Sequence, residues 1–291
     1  MKRFALMFNQ IGNRVGYVPF LKNNFDFILF KADVEELNDY ELIYVYAMSG
    51  ARKYLFKHYC KWWSYPKYLR QHGITKPKII WQIDSNGYSF DEFPHPEILG
   101  YIDAVLHVGH KEWTIPKPYF CVQYPLKHPE NPKSWWVSWE DKELAAVTVK
   151  RHASMFYPAE RTAGRLGIKL HCLGWKIKKK FDSDYLKYLA NHKIAIDASD
   201  HYYSWSKFVA ECAYMGTPVL ALPTIKAATI ANPVLVGKED KLMALGRKLL
   251  TDKEFYEECR LTAYKNIDRY LSPKACDERY KAILRKIGIE V

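Results

Sequence analysis

The sequence predicts an α/β protein of two domains, each a mostly parallel sheet flanked by helices, facing each other across a cleft. Three observations predict it. Short apolar runs of strand length alternate with amphipathic or polar stretches along most of the chain. The alternation breaks at residues 127–141, KHPENPKSWWVSWED, where two prolines and three tryptophans replace any apolar period. The 291 residues suffice for two modest domains or one large one. The break is read as a linker. It divides a first domain, 1–128 completed by 274–291, from a second, 129–273.

The elements follow in order. KRFALMF (2–8) reads as a first buried strand, and QIGNRVGY after it holds Gly12 and Gly16, which permit a tight turn. FDFILF (25–30), LIYVYA (42–47), KIIWQID (78–84), DAVLHVG (103–109) and YFCVQYP (119–125) are further strands. In the second half, ELAAVTV (143–149), IKLHCLG (168–174), KIAIDAS (193–199) and TPVLALP (217–223) are strands. Helices are expected over 156–167, 184–192 and 207–216, and again from Lys238 onward. Pro273 separates off a last helix, KACDERYKAILRKI, that crosses back to the first domain. In such folds ligands sit at the carboxyl ends of the strands.

Composition narrows the class. Hydrophobic residues make up 48% and charged residues 26%, which excludes a disordered chain. No apolar run approaches the roughly 20 residues of a membrane helix. The start lacks a secretory pattern. The six cysteines form no CxxC pair, so neither a zinc framework nor a disulfide scaffold is indicated, and a cytoplasmic location is expected. The formal net charge is +12. Two blocks carry it. Residues 51–78 hold eight Lys and Arg, no Asp or Glu, and seven aromatic rings. Residues 142–193 hold twelve basic against four acidic side chains. Such clustering suggests a polyanionic partner or an anionic membrane surface, with a solvated lysine-rich face as the plain alternative.

The most informative stretch is SWSKFVAECAYMGTPVLALP (204–223). Its helix is apolar on nearly all sides, and between Ser206 and Gly216 its only charges are Lys207 and Glu211. A carboxylate buried there needs partners. A Lys207–Glu211 pair at i, i+4 would supply one, in the weaker orientation. Ser206 is placed to cap the helix, leaving its free N–H groups toward an anion. This segment, with LHCLGW before it and the terminal helices after it, resembles the nucleotide-sugar-binding domain of GT-B glycosyltransferases, particularly the retaining family-4-like group. The resemblance covers residues 143–285. It implies a GT-B fold of two Rossmann-like domains. It also implies that Glu211 accepts hydrogen bonds from the donor's ribose, with Ser206 and Lys207 beside it, and that Gly216-Thr217-Pro218-Val219 is the turn into the next strand.

The resemblance also implies cations for the donor diphosphate. VTVKRHA offers Lys150 or Arg151, and Arg161 is a further candidate with a surface role as its rival. The family's second glutamate, eight positions before the first, is Tyr203 here, so a contact to the transferred sugar is open to a ring instead. Gly12 and Gly16 would let backbone approach the donor. Asp84, at the end of KIIWQID, and His110, after DAVLHVG, are the candidate catalytic groups, as base or acceptor-orienting residues. Asp84 is equally a turn former in DSNG. The DSD at 182–184 reads as a helix start rather than a metal motif.

In GT-B enzymes the first domain holds the acceptor. Arg52, Lys53, Lys57, Lys61, Lys67 and Arg70 would neutralise phosphates, while Trp62 and Trp63 stack on bases. Enzymes of phage type that glycosylate hydroxymethylated bases in DNA share the architecture and must extrude the base. The expected function is therefore transfer of a hexose, with retention, from a nucleotide-sugar, a UDP-sugar such as UDP-glucose, to a hydroxymethylated base in DNA. A lipid or glycan acceptor at a membrane is the first alternative. A non-catalytic nucleic-acid-binding protein is the second. No tightly bound cofactor or metal is required by any motif.

Overall fold

The structure is a computed structural model and describes residues 4–8, 19–29, 35–47, 65–83, 96–107, 117–123, 126, 130–149, 153–173, 182–198 and 206–291. The chain divides into two compact units, Met1–Pro125 with Pro273–Val291, and Leu126–Ser272.

The first unit is a six-stranded parallel sheet. Its strands are β1 (Phe4–Phe8), β2 (Phe25–Leu29), β3 (Leu42–Ala47), β4 (Lys78–Ile83), β5 (Ala104–His107) and β6 (Tyr119–Cys121), in the order β2-β1-β3-β4-β5-β6. Helices α1 (Pro19–Asn24), α2 (Tyr65–Gln71) and α3 (Pro96–Leu99) lie in the connections. The central strands read as unbroken apolar runs because both faces are covered, and Ile43, Val45, Ile79, Trp81 and Val105 are fully buried. At the edge strand β2, Phe27 is exposed. The last helix, α10 (Pro273–Lys286), completes this unit. Asp277 accepts the Phe20 backbone N–H at 2.9 Å, the Tyr44 and Tyr280 hydroxyls are 3.4 Å apart, and Lys78 donates to the Ile287 carbonyl.

The second unit carries β7 (Glu143–Val149), β8 (Lys169–Leu173), β9 (His192–Asp197) and β10 (Val219–Ala221), all parallel, in the order β10-β9-β7-β8. Its helices are α4 (Ala153–Leu166), α5 (Asp182–Ala190), α6 (Lys207–Tyr214), α7 (Lys226–Ala231), α8 (Glu239–Thr251) and α9 (Lys253–Leu271). The chain winds from β7 outward to β8, then returns to the other side of β7 for β9 and β10. That reversal is a topological switch point at the carboxyl ends of β7 and β9, where such sheets take ligands. Some boundaries differ from expectation. α4 starts at Ala153, with Pro158 inside it, and the last strand shortens to three residues.

The stretch expected as a linker is a larger difference. From residue 130 it belongs to the body of the second unit. Trp136 donates to the Tyr214 carbonyl at 2.9 Å, and the Arg260 guanidinium stacks on its ring at 4.3 Å. The Lys193 ammonium lies 3.6 Å from the Trp139 ring centre. Indole rings carry too much apolar area to be left in a solvated connector. Lys142 follows them into the interior, donating to the Ala190 carbonyl and, at 3.4 Å, to Thr217 Oγ1. Burial, with Arg260 nearby, pushes its pKa down to about 7.

Candidate functional site

The switch point gathers the chemistry of the second unit. β9 ends at Asp197, and the next described residue after Ala198 is Ser206, which starts α6. Ser206 Oγ donates to Asp197 Oδ2 at 2.5 Å and accepts from the Val209 N–H at 3.4 Å. One hydroxyl therefore joins the strand end to the helix start. Ser206→Ala removes both bonds and is expected to cost about 1 kcal/mol of stability, the usual cost of losing a cap. A urea midpoint unchanged by the substitution would contradict this.

α6 is buried along its whole length from Phe208 to Tyr214. Glu211, on its second turn, is only 4% exposed. Its carboxylate is not left unpaired. Tyr185 Oη, from α5, donates to Oε2 at 2.8 Å, and Lys207 Nζ lies 3.1 Å from Oε1. The i, i+4 pair that the spacing allows is thus present, and Lys207 is the more exposed partner. A carboxylate offers about four lone-pair positions, so these two bonds do not by themselves exhaust it.

After α6 the chain turns at Gly216, whose φ is +65°. A β-carbon there would lie 2.8 Å from atoms of the Trp136 ring. Glycine is required both for the left-handed backbone and for the close approach of the indole. Thr217 Oγ1 then donates to the Leu189 carbonyl at 2.8 Å, and Tyr256 Oη to the Gly216 carbonyl at 3.3 Å. The GTPV turn is therefore fastened from three elements.

The structure brings Glu211, Lys207 and Ser206 together. Arg161 stands on the exposed side of α4, about 12 Å along the axis from Ala153, away from the helix start. Asp182 and Asp184 belong to the first turn of α5. Lys150, Arg151 and Tyr203 lie outside the described residues, as do Gly12, Gly16, Asp84 and His110. In the chain, Lys150 and Arg151 follow directly on β7. Of the basic block, Arg52, Lys53, Lys57, Lys61, Trp62 and Trp63 also lie outside the described residues. Lys67 and Arg70 are on α2. Lys67 Nζ lies 5.9 Å from the centre of the Tyr101 ring. Arg70 donates to the Ile74 carbonyl at 2.9 Å and lies 3.4 Å from Asp103, which itself accepts the Ile79 N–H at 2.7 Å. That arginine braces the corner between α2, β4 and β5.

Sequence reasoning missed two members of the site. Asp197 carried a signal, a lone acid closing the strand KIAID, comparable to the one that marked Asp84. Tyr185 carried none, because a tyrosine 26 positions before Glu211 is one ring among many.

No family model matches this sequence, and no curated protein does. Solved structures do. HepE from Anabaena, in complex with UDP and glucose, superposes with a TM-score of 0.65 at 9% identity over 98% of this chain and 100% of that one. An alpha-glucosyltransferase in complex with UDP and a 13-mer DNA containing an HMU base gives 0.61 at 12% identity, over 97% and 99%. A glycosyltransferase from Rickettsia africae gives 0.59 at 11% identity, over 98% of both chains. Likeness over whole chains at such low identity is likeness of fold, and the fold of this chain is the GT-B fold of those glycosyltransferases.

Proposed function

We propose that this chain is a retaining glycosyltransferase that moves a hexose from a UDP-sugar to a hydroxyl group, with a hydroxymethylated base in DNA as the acceptor. The observation that carries the reading is Glu211: a buried carboxylate on an apolar helix, one turn from a serine-capped start at the switch point of a parallel sheet. The ribose hydroxyls of the donor would donate to it in exchange for Lys207. The start of α6 presents N–H groups suited to the diphosphate. As the bond from the anomeric carbon to the diphosphate oxygen breaks, negative charge collects on the leaving UDP. Lys150 and Arg151 would neutralise it. For retention the acceptor oxygen would attack from the face that the UDP leaves, its proton passing to the leaving diphosphate, and Asp84, or His110, would orient the acceptor hydroxyl. The neighbours with bound UDP or UDP-glucose support the choice of donor.

The acceptor is inferred from residues 51–78, eight cations and no acid interleaved with rings. One neighbour binds DNA with an HMU base, which supports the same reading. The test is turnover of UDP-glucose with hydroxymethylated DNA, plain DNA and anionic lipid vesicles in parallel, with the anomer of the product identified. Transfer to the modified DNA alone is expected. Transfer to lipid alone would replace the DNA acceptor, and no transfer of any UDP-sugar would overturn the enzyme reading. A second expectation concerns salt. Replacing Lys57, Lys61 and Lys67 with Gln should flatten the salt dependence of DNA binding, by about 0.9 in logarithmic slope for each phosphate that is no longer neutralised. It should leave donor affinity unchanged. An unaltered slope would remove the block from the interface.

A further inference from the structure

Glu143, His171 and His192 meet at the second unit's sheet, on three neighbouring strands. Glu143 is the first residue of β7, His192 the first of β9, and His171 the middle residue of β8. His171 Nδ1 lies 2.8 Å from His192 Nε2, with the rings edge to face. His171 Nε2 lies 3.4 Å from Glu143 Oε1, and His192 Nε2 lies 3.9 Å from Glu143 Oε2. One ligand atom from each residue can be chosen so that all lie within 4.8 Å of one another. The site is separate from the one around Glu211. It sits at the amino end of β9, about 16 Å along the strand from Asp197.

The hydrogen bonds leave a gap in the pattern that a cation would fill. His192 Nδ1 is 2.7 Å from the Tyr188 carbonyl, so that nitrogen carries the proton and donates. His192 Nε2 is then a bare lone pair, and it faces His171. His171 Nδ1 donates to that lone pair, which leaves His171 Nε2 bare, and a cation held by both rings would take the place of that hydrogen bond. His171 Nε2 is buried, makes no hydrogen bond, and looks at a carboxylate oxygen. Two acceptors, His171 Nε2 and Glu143 Oε1, then face each other 3.4 Å apart, a pairing that a cation would relieve. We propose that Glu143, His171 and His192 bind a late first-row divalent cation, zinc foremost.

The donor set matches that chemistry. The two imidazoles favour zinc over magnesium or calcium, and a carboxylate is an accepted third ligand beside them. A tetrahedral ion with bonds of about 2.0–2.1 Å holds its ligand atoms roughly 3.3 Å apart; His171 Nε2 and Glu143 Oε1 already stand at 3.4 Å, while His192 Nε2 would close in from 3.9 Å on Glu143. The backbone bond at His192 Nδ1 is the outer-shell bond that orients a ligating imidazole. His192 is wholly buried while the Glu143 side chain is about half exposed, so an ion enters from the Glu143 side and keeps water as its fourth ligand. Its effect would be to tie β8 and β9 to β7, independently of any donor or acceptor.

The test uses the full chain, stripped of metal by a chelator and titrated with Zn²⁺ in competition with a chromogenic chelator. Wild type is expected to take up one equivalent more than His171→Ala, and its melting midpoint should rise with Zn²⁺ while that of the variant does not. Glu143→Gln, at a half-exposed position, should keep the fold and bind at least about tenfold more weakly. Co²⁺ should give visible bands of tetrahedral type in wild type that His171→Ala lacks, and Mg²⁺ should not displace the ion. Equal stoichiometry and affinity in wild type and both variants would overturn the proposal. So would a lack of uptake in wild type.

Discussion

Glu211→Ala is expected to weaken the proposed binding of UDP-glucose by about 1–3 kcal/mol, roughly five- to 150-fold, the scale of hydrogen bonds to a charged group. The physical basis is the buried carboxylate itself. It is held by Tyr185 at 2.8 Å and by Lys207 at 3.1 Å, and the proposed ribose contact exchanges for the lysine. Alanine removes the acceptor and leaves the Tyr185 hydroxyl without it, so some loss of stability accompanies the loss of affinity. Glu211→Gln separates the two. It keeps the shape and one acceptor oxygen but not the charge, so stability should fall less than in the alanine variant while the donor still binds weakly. Calorimetry on variants shown to be folded decides the matter. Donor affinity equal to wild type in folded Glu211→Ala would mean that the carboxylate serves packing alone.

Gly216→Val lowers stability by about 2–5 kcal/mol, read from urea unfolding. Two costs combine. A side chain at a φ of +65° carries a backbone penalty of about 1–2 kcal/mol. The added β-carbon would also enter the Trp136 ring at 2.8 Å, and overpacking of this kind costs about 1–3 kcal/mol. The indole has little room to retreat. Its N–H is bonded to the Tyr214 carbonyl, Arg260 covers one face, and the Tyr264 ring meets it edge-on with centroids 5.5 Å apart. Shrinking the neighbour provides a check. Trp136→Leu combined with Gly216→Ala should relieve the steric part and retain the backbone part, so the two substitutions should not be additive. A loss below about 1 kcal/mol for Gly216→Val would show that the turn accepts a β-carbon by shifting.

Much of the fold is legible because it is written locally. The strands β3, β4, β7 and β9 are apolar runs of strand length with helical or turn-forming segments between them, and parallel central strands need nothing more. Glu211 is legible as one acid in an apolar helix, and Gly216 as the glycine of a turn into a strand. These are properties of ten or fewer neighbouring residues. The tryptophan-rich stretch reads wrongly as a linker for the converse reason. Its prolines carry a local signal, whereas its burial depends on Tyr214 and Arg260, 78 and 124 positions after Trp136.

By itself, then, the sequence determined the α/β class, the order of the elements and the buried acid. All follow from short-range periodicity and backbone preference. Only the tertiary structure decided what shares a place. The strand order β10-β9-β7-β8 sets residue 143 beside residues 171 and 192, and the packing of α5 on α6 puts Tyr185 on Glu211. The physical reason is that a sheet selects neighbours by strand order and crossover, and those depend on how whole faces bury one another. No spacing along the chain records that choice.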